Sequence, residues 1–519
     1  MIIITSGAFI SSELQVELGR LPPALLPLGN KRLYEHQVAA LREAFPDVDI
    51  FLTLTDAYDL RSTDELLLQR LNVKLIYVPD GLPLGYSLLH VINTIGHYDE
   101  SIRVLHGDTL LSDVPRDLDI VAIAQAEDEY PWEVESDTRH AEMVWCGYFA
   151  FSDIKLLARS MSAARGRFVE GVRLYQASHG LIFPTVTGWL DMGHVNTYFR
   201  SRAKMTTQRA FNELIISNGT VFKSSAQASK MIAEACWFGN LPPSVKRYAP
   251  QLIRSGENDG RNFYEVEYLP YLPLNELYVH GSLPKLFWEK IFRLTDAVLS
   301  DLRGASALTS ADCEKVQADF SMLVVEKTDQ RLDEYAIATG CDMERATSFN
   351  GVALPSLRTV AATCQEAARA LPAMPGVSHG DFCFSNILFD SRANSLKVID
   401  PRGLNAAGEL TIIGDLKYDI AKFAHSLVGL YDHIVAGLFT LIEPEPLHFT
   451  LEIHVDRNIA NIQESFGGIS LLGFSPRDVL PLVILLFLSM LPLHHDKPDR
   501  QRAFLANALR LYVLWKEES

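Results

Sequence analysis

The sequence predicts two folded domains in tandem: an α/β domain over residues 1–205 and an α+β, two-lobed domain over residues 206–519. Three observations carry that expectation. Short β-branched runs alternate with amphipathic helical stretches through the first domain, as a parallel sheet covered by helices requires. An Asn-Gly turn between two strand-like runs, followed by a helix, opens the second. From about residue 284 the pattern is largely helical, so an N-lobe is placed at about 206–275 and a helical C-lobe at about 276–519.

Length and composition agree. A chain of 519 residues has room for two or three domains with buried cores. Apolar residues make up 48% and charged residues 21%, the balance of an ordinary globular protein. A net charge of −17 without any basic run argues against a nucleic-acid partner. The six cysteines form no C-x-x-C pair, which fits reduced thiols and no zinc site. Met1-Ile-Ile-Ile-Thr5 lacks the basic region of a signal peptide. The run Val479–Leu491 is too short to span a bilayer and contains Pro481, so no membrane insertion is expected and the cytoplasm is the expected compartment.

In the first domain, Ile2–Thr5, Asp49–Leu54, Val73–Val78 and Ile102–Leu105 read as buried parallel strands of a Rossmann-like sheet. Tyr34–Phe45, Thr63–Leu71 and Tyr86–Ile95 read as the helices between them. Ligands of such sheets bind at the carboxyl ends of the strands. Four features sit there: the turn Thr5–Ser12 with Gly7, the stretch Pro22–His36, a strand delivering Gly107-Asp108, and Gly188-Trp-Leu-Asp-Met-Gly193 with Asp191. Two carboxylates from distant strand ends can share one Mg²⁺ and bind a nucleoside triphosphate. The plainer alternative makes Gly107-Asp108 a turn and Asp191 the N-cap of the helix that follows.

Together, Leu25-Leu-Pro-Leu-Gly-Asn-Lys31, Gly107-Asp108 and Trp189-Leu-Asp-Met-Gly193 resemble the sugar-1-phosphate nucleotidyltransferases. Pro83-Leu-Gly-Tyr-Ser87 resembles that family's base-binding loop, and Gly147–Phe151 its sugar-side strand. The resemblance implies that Asp108 and Asp191 are metal ligands, that Gly7 belongs to the nucleotide loop and that Gly85 lies near the base. The chain departs from the pattern at Phe9 and Ser11, where the family has a second glycine and an arginine, and at Pro23, where it has a phosphate-contacting lysine. Arg20, Lys31 and Arg32 are the nearby cations that could replace those groups.

Thr206–Ala210 is the expected junction. Phe211–Ser217 and Thr220–Ser224 form the hairpin, and a helix with Glu234 follows. In the kinase plan a strand lysine grips the α- and β-phosphates and pairs with a helix glutamate. Lys223 with Glu234 fits those roles; Lys230, four residues before Glu234, is the rival lysine. Phe263–Leu269 stands where a hinge would offer backbone groups to adenine.

The densest signal is His379-Gly-Asp-Phe-Cys-Phe-Ser-Asn386, followed by a strand ending at Asp400. Phosphoryl transfer needs a carboxylate to orient the attacking hydroxyl, and an amide oxygen with a second carboxylate to hold Mg²⁺. The stretch resembles the aminoglycoside phosphotransferase and choline kinase family, with a protein-kinase-like bilobal fold. By that resemblance Asp381 is the catalytic base, and Asn386 and Asp400 are the magnesium ligands. His379 is expected to brace the loop. Asp419 is expected to cap its helix or brace the loop, and Arg402 to meet phosphate, substrate or a surface partner.

As a whole the chain resembles bacterial two-domain capsule and lipopolysaccharide biosynthesis proteins. That resemblance implies a bifunctional enzyme: ATP phosphorylates a small sugar or amino alcohol, and a second NTP (CTP or other) then couples to the phosphate. The alternative is an ATP-dependent kinase whose first domain only binds a ligand, motivated by Phe9, Ser11 and Pro23. No pattern in the chain specifies an oligomeric state.

Overall fold

The computed structural model describes residues 1–126, 130–135, 143–205, 212–258 and 260–517. The expected junction Thr206–Ala210, and Phe211 after it, lie outside the described residues. The chain divides into two compact units. Unit 1 is Met1–Met205 with His280–Leu283; unit 2 is Thr206–Val279 with Pro284–Ser519. All six cysteines are free. No described helix is long and apolar enough to cross a membrane.

Unit 1 is α/β. Its sheet contains β1 (Ile2–Thr5), β2 (Ile50–Thr55), β3 (Val73–Val78) and β4 (Ile102–His106), with the short β5 (Thr109–Leu111) following outside it. It continues through β6 (Ile120–Gln125), β7 (Val134–Glu135) and β8 (Met143–Phe151), and β9 (Trp189–Asp191) pairs with β5. The order is β3-β2-β1-β4-β8-β6, with β7 on β8. The first four strands are parallel, whereas β8 runs antiparallel to both β4 and β6, so the sheet is mixed where an all-parallel one was expected. Ile2, Ile3 and Ile4 are fully buried, as β1 must be when both sheet faces are covered. On one face, Leu88, Val91, Ile154, Leu157 and Val172 pack with Ile3, Val104 and Phe149. The chain steps outward from β1 to β3 and then returns to the other side of β1 as β4. That reversal opens a crevice at the carboxyl ends of β1 and β4, where Gly7 and Asp108 lie.

Unit 2 is α+β. The sheet β10 (Asn212–Ser217), β11 (Thr220–Ser225), β12 (Leu252–Asn258) and β13 (Arg261–Glu267) has the order β10-β11-β13-β12. The expected hinge strand is therefore an interior strand, paired on both sides. The helix Ala228–Asn240 follows β11 and buries Met231, Glu234, Trp237 and Phe238. The remainder is mainly helical, built around Pro476–Ser489, whose residues 479–488 are all buried. A four-stranded sheet in this region was not expected. It joins Ala346–Phe349, Val352–Ser356, Phe439–Glu445 and His448–Ile453. Its first hairpin turns at Asn350-Gly351, both at positive φ (47° and 83°), the geometry Asn-Gly favours in a two-residue turn.

Candidate active sites

The loop after Pro375–Val377 is held from below by one helix. Asp419, fully buried on Leu416–Leu427, accepts hydrogen bonds from Ser378 Oγ (2.9 Å), His379 N (2.9 Å) and Gly380 N (2.7 Å). Gly380 has φ +75°, and a Cβ there would lie 2.7 Å from Arg402 Cβ, so the middle residue of His-Gly-Asp must be glycine. His379 donates from Nε2 to Ile399 O (2.9 Å) and accepts at Nδ1 from Asp381 N (3.3 Å). Burial holds this imidazole down at about 4 and hence neutral, as a brace requires. Ser426 Oγ accepts from Phe384 N (3.1 Å).

These braces gather the predicted residues around one cavity of about 430 Å³, lined by Glu234, Asp381, Asn386, Asp400, Arg402 and Lys422 among others. Lys223 Nζ, on β11, lies 2.8 Å from Glu234 Oε2 and 3.0 Å from Asp400 Oδ1. Burial alone would lower the Lys223 ammonium, but Asp400 and Glu234 outweigh it and raise it. Tyr264 OH adds a 2.6 Å hydrogen bond to Glu234. Lys230 also approaches Glu234, at 3.6 Å, from a half-exposed i,i+4 position. Asn386 Nδ2 donates to Asp381 O (2.9 Å) and Oδ2 (3.1 Å), which commits its NH₂ group and leaves Oδ1 as the acceptor. The strand expected to end at Asp400 stops at Val398, and Asp400 takes a left-handed φ of 55° in the bend two residues beyond it. Among the described residues no group of three or more His, Cys, Asp or Glu side chains is placed to hold a metal. One carboxylate and one amide oxygen nevertheless suit Mg²⁺, a hard ion that keeps waters and phosphate oxygens as its other ligands.

Lys422 was not singled out from the sequence. Its Nζ lies 2.9 Å from Asp381 Oδ1. Burial would raise the Asp381 carboxyl, but Lys422, then Arg402, hold it down to about 2. The carboxylate therefore stays ionised throughout the neutral and mildly acidic range.

Behind the loop, Asp432 is buried, and its Oδ2 has no hydrogen-bond partner among the described residues. Burial raises its carboxyl to about 7, against the Ser426 hydrogen bond. A folded value above the unfolded one of about 4 contributes stability below pH ~4 that is lost as pH rises toward 7. Asp432→Asn is thus expected to gain on the wild type by a few kcal/mol between pH 4 and pH 8. Urea midpoints at both pH values check this, and parallel pH profiles for the two proteins would refute it.

In unit 1, Asp108 and Asp191 converge. β5 pairs with β9 so that Thr109 faces Asp191, and Met192 N donates to Asp108 O (2.8 Å). A Cβ built on Gly193 would lie 2.8 Å from Asp108 Oδ2 and 3.5 Å from Asp191 Oδ1, so both carboxylates border the same small space. Asp191 is a strand residue and does not cap the next helix; His194 occupies that N-cap. Gln37, unforeseen from the sequence, donates from Nε2 to His106 O (3.0 Å), Gly107 O (3.2 Å) and Thr109 O (2.7 Å), fixing the turn that carries Asp108. Gly7 and Gly85 are close-packed: a Cβ would lie 2.3 Å from Val78 Cγ2 and 2.6 Å from Gly166 O, respectively.

The three cations near the first loop differ. Arg32 is buried in a two-pronged ion pair with Asp64 (2.8 and 2.7 Å) and also donates to Leu25 O and His280 O. It is a structural cation, not the phosphate contact considered from sequence. Arg20 lies 3.7 Å over the Phe9 ring and 3.9 Å from Asp80. Lys31 is exposed.

Comparison with known proteins gave no matching family model and no matching curated protein. Among solved structures, unit 1 is similar to a nucleoside-diphosphate-sugar pyrophosphorylase from Vibrio cholerae RC9 (14% identity, TM-score 0.34, 39% of this chain and 99% of that one). The inositol-1-phosphate CTP transferase from T. maritima matches at 14% identity and TM-score 0.31, over 40% of this chain and 97% of that one. A thermostable mutant of the aminoglycoside phosphotransferase APH(4)-Ia matches at 12% identity and TM-score 0.37, over 60% of this chain and 93% of that one.

Proposed function

We propose that unit 2 is an ATP-dependent kinase acting on a small alcohol and that unit 1 is a nucleotidyltransferase, together making a nucleotide-activated sugar or amino-alcohol donor for surface polysaccharide. The observation that carries the reading is the convergence of Asp381, Asn386 and Asp400, with Lys223 on Glu234, on one cavity. Lys223 holds the α- and β-phosphates of ATP. Asn386 and Asp400 would hold Mg²⁺, which when bound neutralises phosphate charge. Asp381 orients the acceptor hydroxyl: its oxygen bonds to the γ-phosphorus, the bond from that phosphorus to the bridging oxygen breaks, and ADP leaves. With its carboxyl at about 2, Asp381 passes the hydroxyl proton on to water instead of keeping it. Positioning and electrostatics suffice for such a loose transition state.

In unit 1, the new phosphate would attack the α-phosphorus of a second NTP and expel pyrophosphate, at the site bordered by Asp108 and Asp191. One observation favours a second reading, a unit 1 that only binds its ligand: Arg32 is committed to Asp64, which leaves Arg20 and Lys31 as the cations near the first loop. The test is a coupled screen with Mg²⁺ and ATP over sugars, polyols and amino alcohols, following ADP, then each NTP, following pyrophosphate. Asp108→Asn is expected to cut pyrophosphate release by at least ~100-fold and leave ADP formation intact. ADP without pyrophosphate from the wild type would instead establish the binding-only unit.

A further inference from the structure

The cavity of unit 2 has a second charged wall that phosphoryl transfer leaves unused. Lys327 and Arg331 stand one turn apart on the helix Glu326–Thr339, and Arg402 lies two residues after Asp400; all three line the cavity. Lys422, beside them, is neutralised by Asp381. The other three make no direct ion pair with a carboxylate among the described residues, and the hydrogen bonds of the two arginines go to neutral groups. Arg331 donates to Ser489 O (3.0 Å), and Arg402 donates to Tyr418 OH (2.9 Å) while lying 4.7 Å over the same ring.

The groups acting most strongly on Lys327 are like charges. After burial itself, Arg402 and then Arg331 lower its ammonium from the ordinary value. Asp381 and Asp419 act on Arg402 and Glu334 on Arg331, yet the Lys327 ammonium and the Arg331 guanidinium both stay below their ordinary values. Partly buried cations gathered with too little counter-charge are unfavourable, and such arrangements concentrate where a ligand supplies more negative charge. ATP phosphates are a poor candidate for that ligand. Lys223, which the reading above assigns to the ATP phosphates, sits on β11 against Glu234 and Asp400, whereas Lys327 and Arg331 stand on a separate helix along another part of the cavity wall.

We infer that the alcohol phosphorylated in this cavity already carries an oxyanion, a phosphate monoester or a carboxylate, bound by Lys327, Arg331 and Arg402. This rests on the kinase reading above and narrows its acceptor class. Guanidinium forks match two-oxygen anions, and Lys327 adds a point charge. Leu482, Leu485 and Leu486 supply an apolar wall for the carbon skeleton. A cationic amino alcohol or aminoglycoside meets repulsion at the same place.

The test compares matched acceptors that differ in charge: glycerol, glycerol phosphate, glycerate and serinol, and glucose, glucose 1-phosphate, glucuronate and glucosamine. ADP formation is followed with and without acceptor. Anionic members are expected to give at least tenfold higher kcat/KM than their neutral partners, and the phosphate and carboxylate arms tell the two oxyanions apart. Lys327→Met should raise the KM for the preferred anionic acceptor at least tenfold, with a much smaller change in kcat, and Lys327→Arg should restore it. A KM effect on ATP in place of the acceptor would overturn the assignment. So would equal or better turnover of neutral or cationic members, which would leave the kinase reading standing. Absence of ADP in every arm, including the acceptor-free one, would remove the kinase reading and this inference with it.

Discussion

Asp381→Asn is expected to lower acceptor-dependent ADP formation by about 10³-fold, within the range that positioned proton acceptors contribute. Asparagine keeps the size of the side chain and an oxygen facing Lys422, so the fold should hold, with stability changed by less than about 2 kcal/mol. The pH profile adds a discriminating readout. A carboxyl held at about 2 is ionised above that value and loses its charge only as pH falls through it, so Asp381 itself should impose no acid limb between pH 5 and 8. Removing the neighbouring charge weakens that hold. In Lys422→Met the largest pull against burial is gone and Arg402 alone among the nearby cations still opposes it, so an acid limb should move up from the wild-type position. A variant that keeps wild-type turnover, or a Lys422→Met profile that coincides with the wild type, would show that Asp381 is not the group acting on the hydroxyl.

Much of this site was legible because its chemistry is packed into short sequence intervals. Asp381, Asn386 and Asp400 lie within one loop and hairpin, and Lys223 and Glu234 lie on adjacent elements. Lys422 escaped notice because its partnership with Asp381 depends on a helix packed under the loop. Helical spacing held the clue: Lys422 is three residues after Asp419, on the face that braces the loop of Ser378, His379 and Gly380. Lys327 and Arg331 read as solvated positions of a polar helix, since cavity walls made by distant helices leave no periodic trace. In unit 1 the four parallel strands followed from their β-branched runs, but the antiparallel run of β8 did not. A buried strand has the same pattern in either direction. The Ala346–Phe349 hairpin carried an Asn-Gly signal and was passed over inside a segment read as helical.

The fate of Arg32 shows how a cation near the first loop of an α/β sheet can be wholly structural. Its side chain and that of Asp64 are each 1% exposed, and Asp64 lies 32 residues away in sequence. Burial alone would make the guanidinium easier to deprotonate, but Asp64 more than offsets this and holds it charged. Arg32→Met leaves the Asp64 carboxylate buried without its counter-charge and strips Leu25 O and His280 O of a donor. The expected cost to unit 1 is about 3–5 kcal/mol. The double variant Arg32→Met with Asp64→Leu should recover most of the loss, because two apolar groups leave no charge stranded. Urea unfolding, read by hydrogen exchange at amides of β1 and β2, separates the response of unit 1 from that of unit 2. A loss below about 1 kcal/mol in the single variant would contradict the structural role. Arg32→Lys supplies the functional contrast. It keeps the charge but loses the two-pronged geometry, so it should destabilise unit 1 without selectively abolishing pyrophosphate release. Selective loss of that release at unchanged stability would instead make Arg32 the phosphate contact that Phe9, Ser11 and Pro23 fail to provide, and would return nucleotidyl transfer to the first loop.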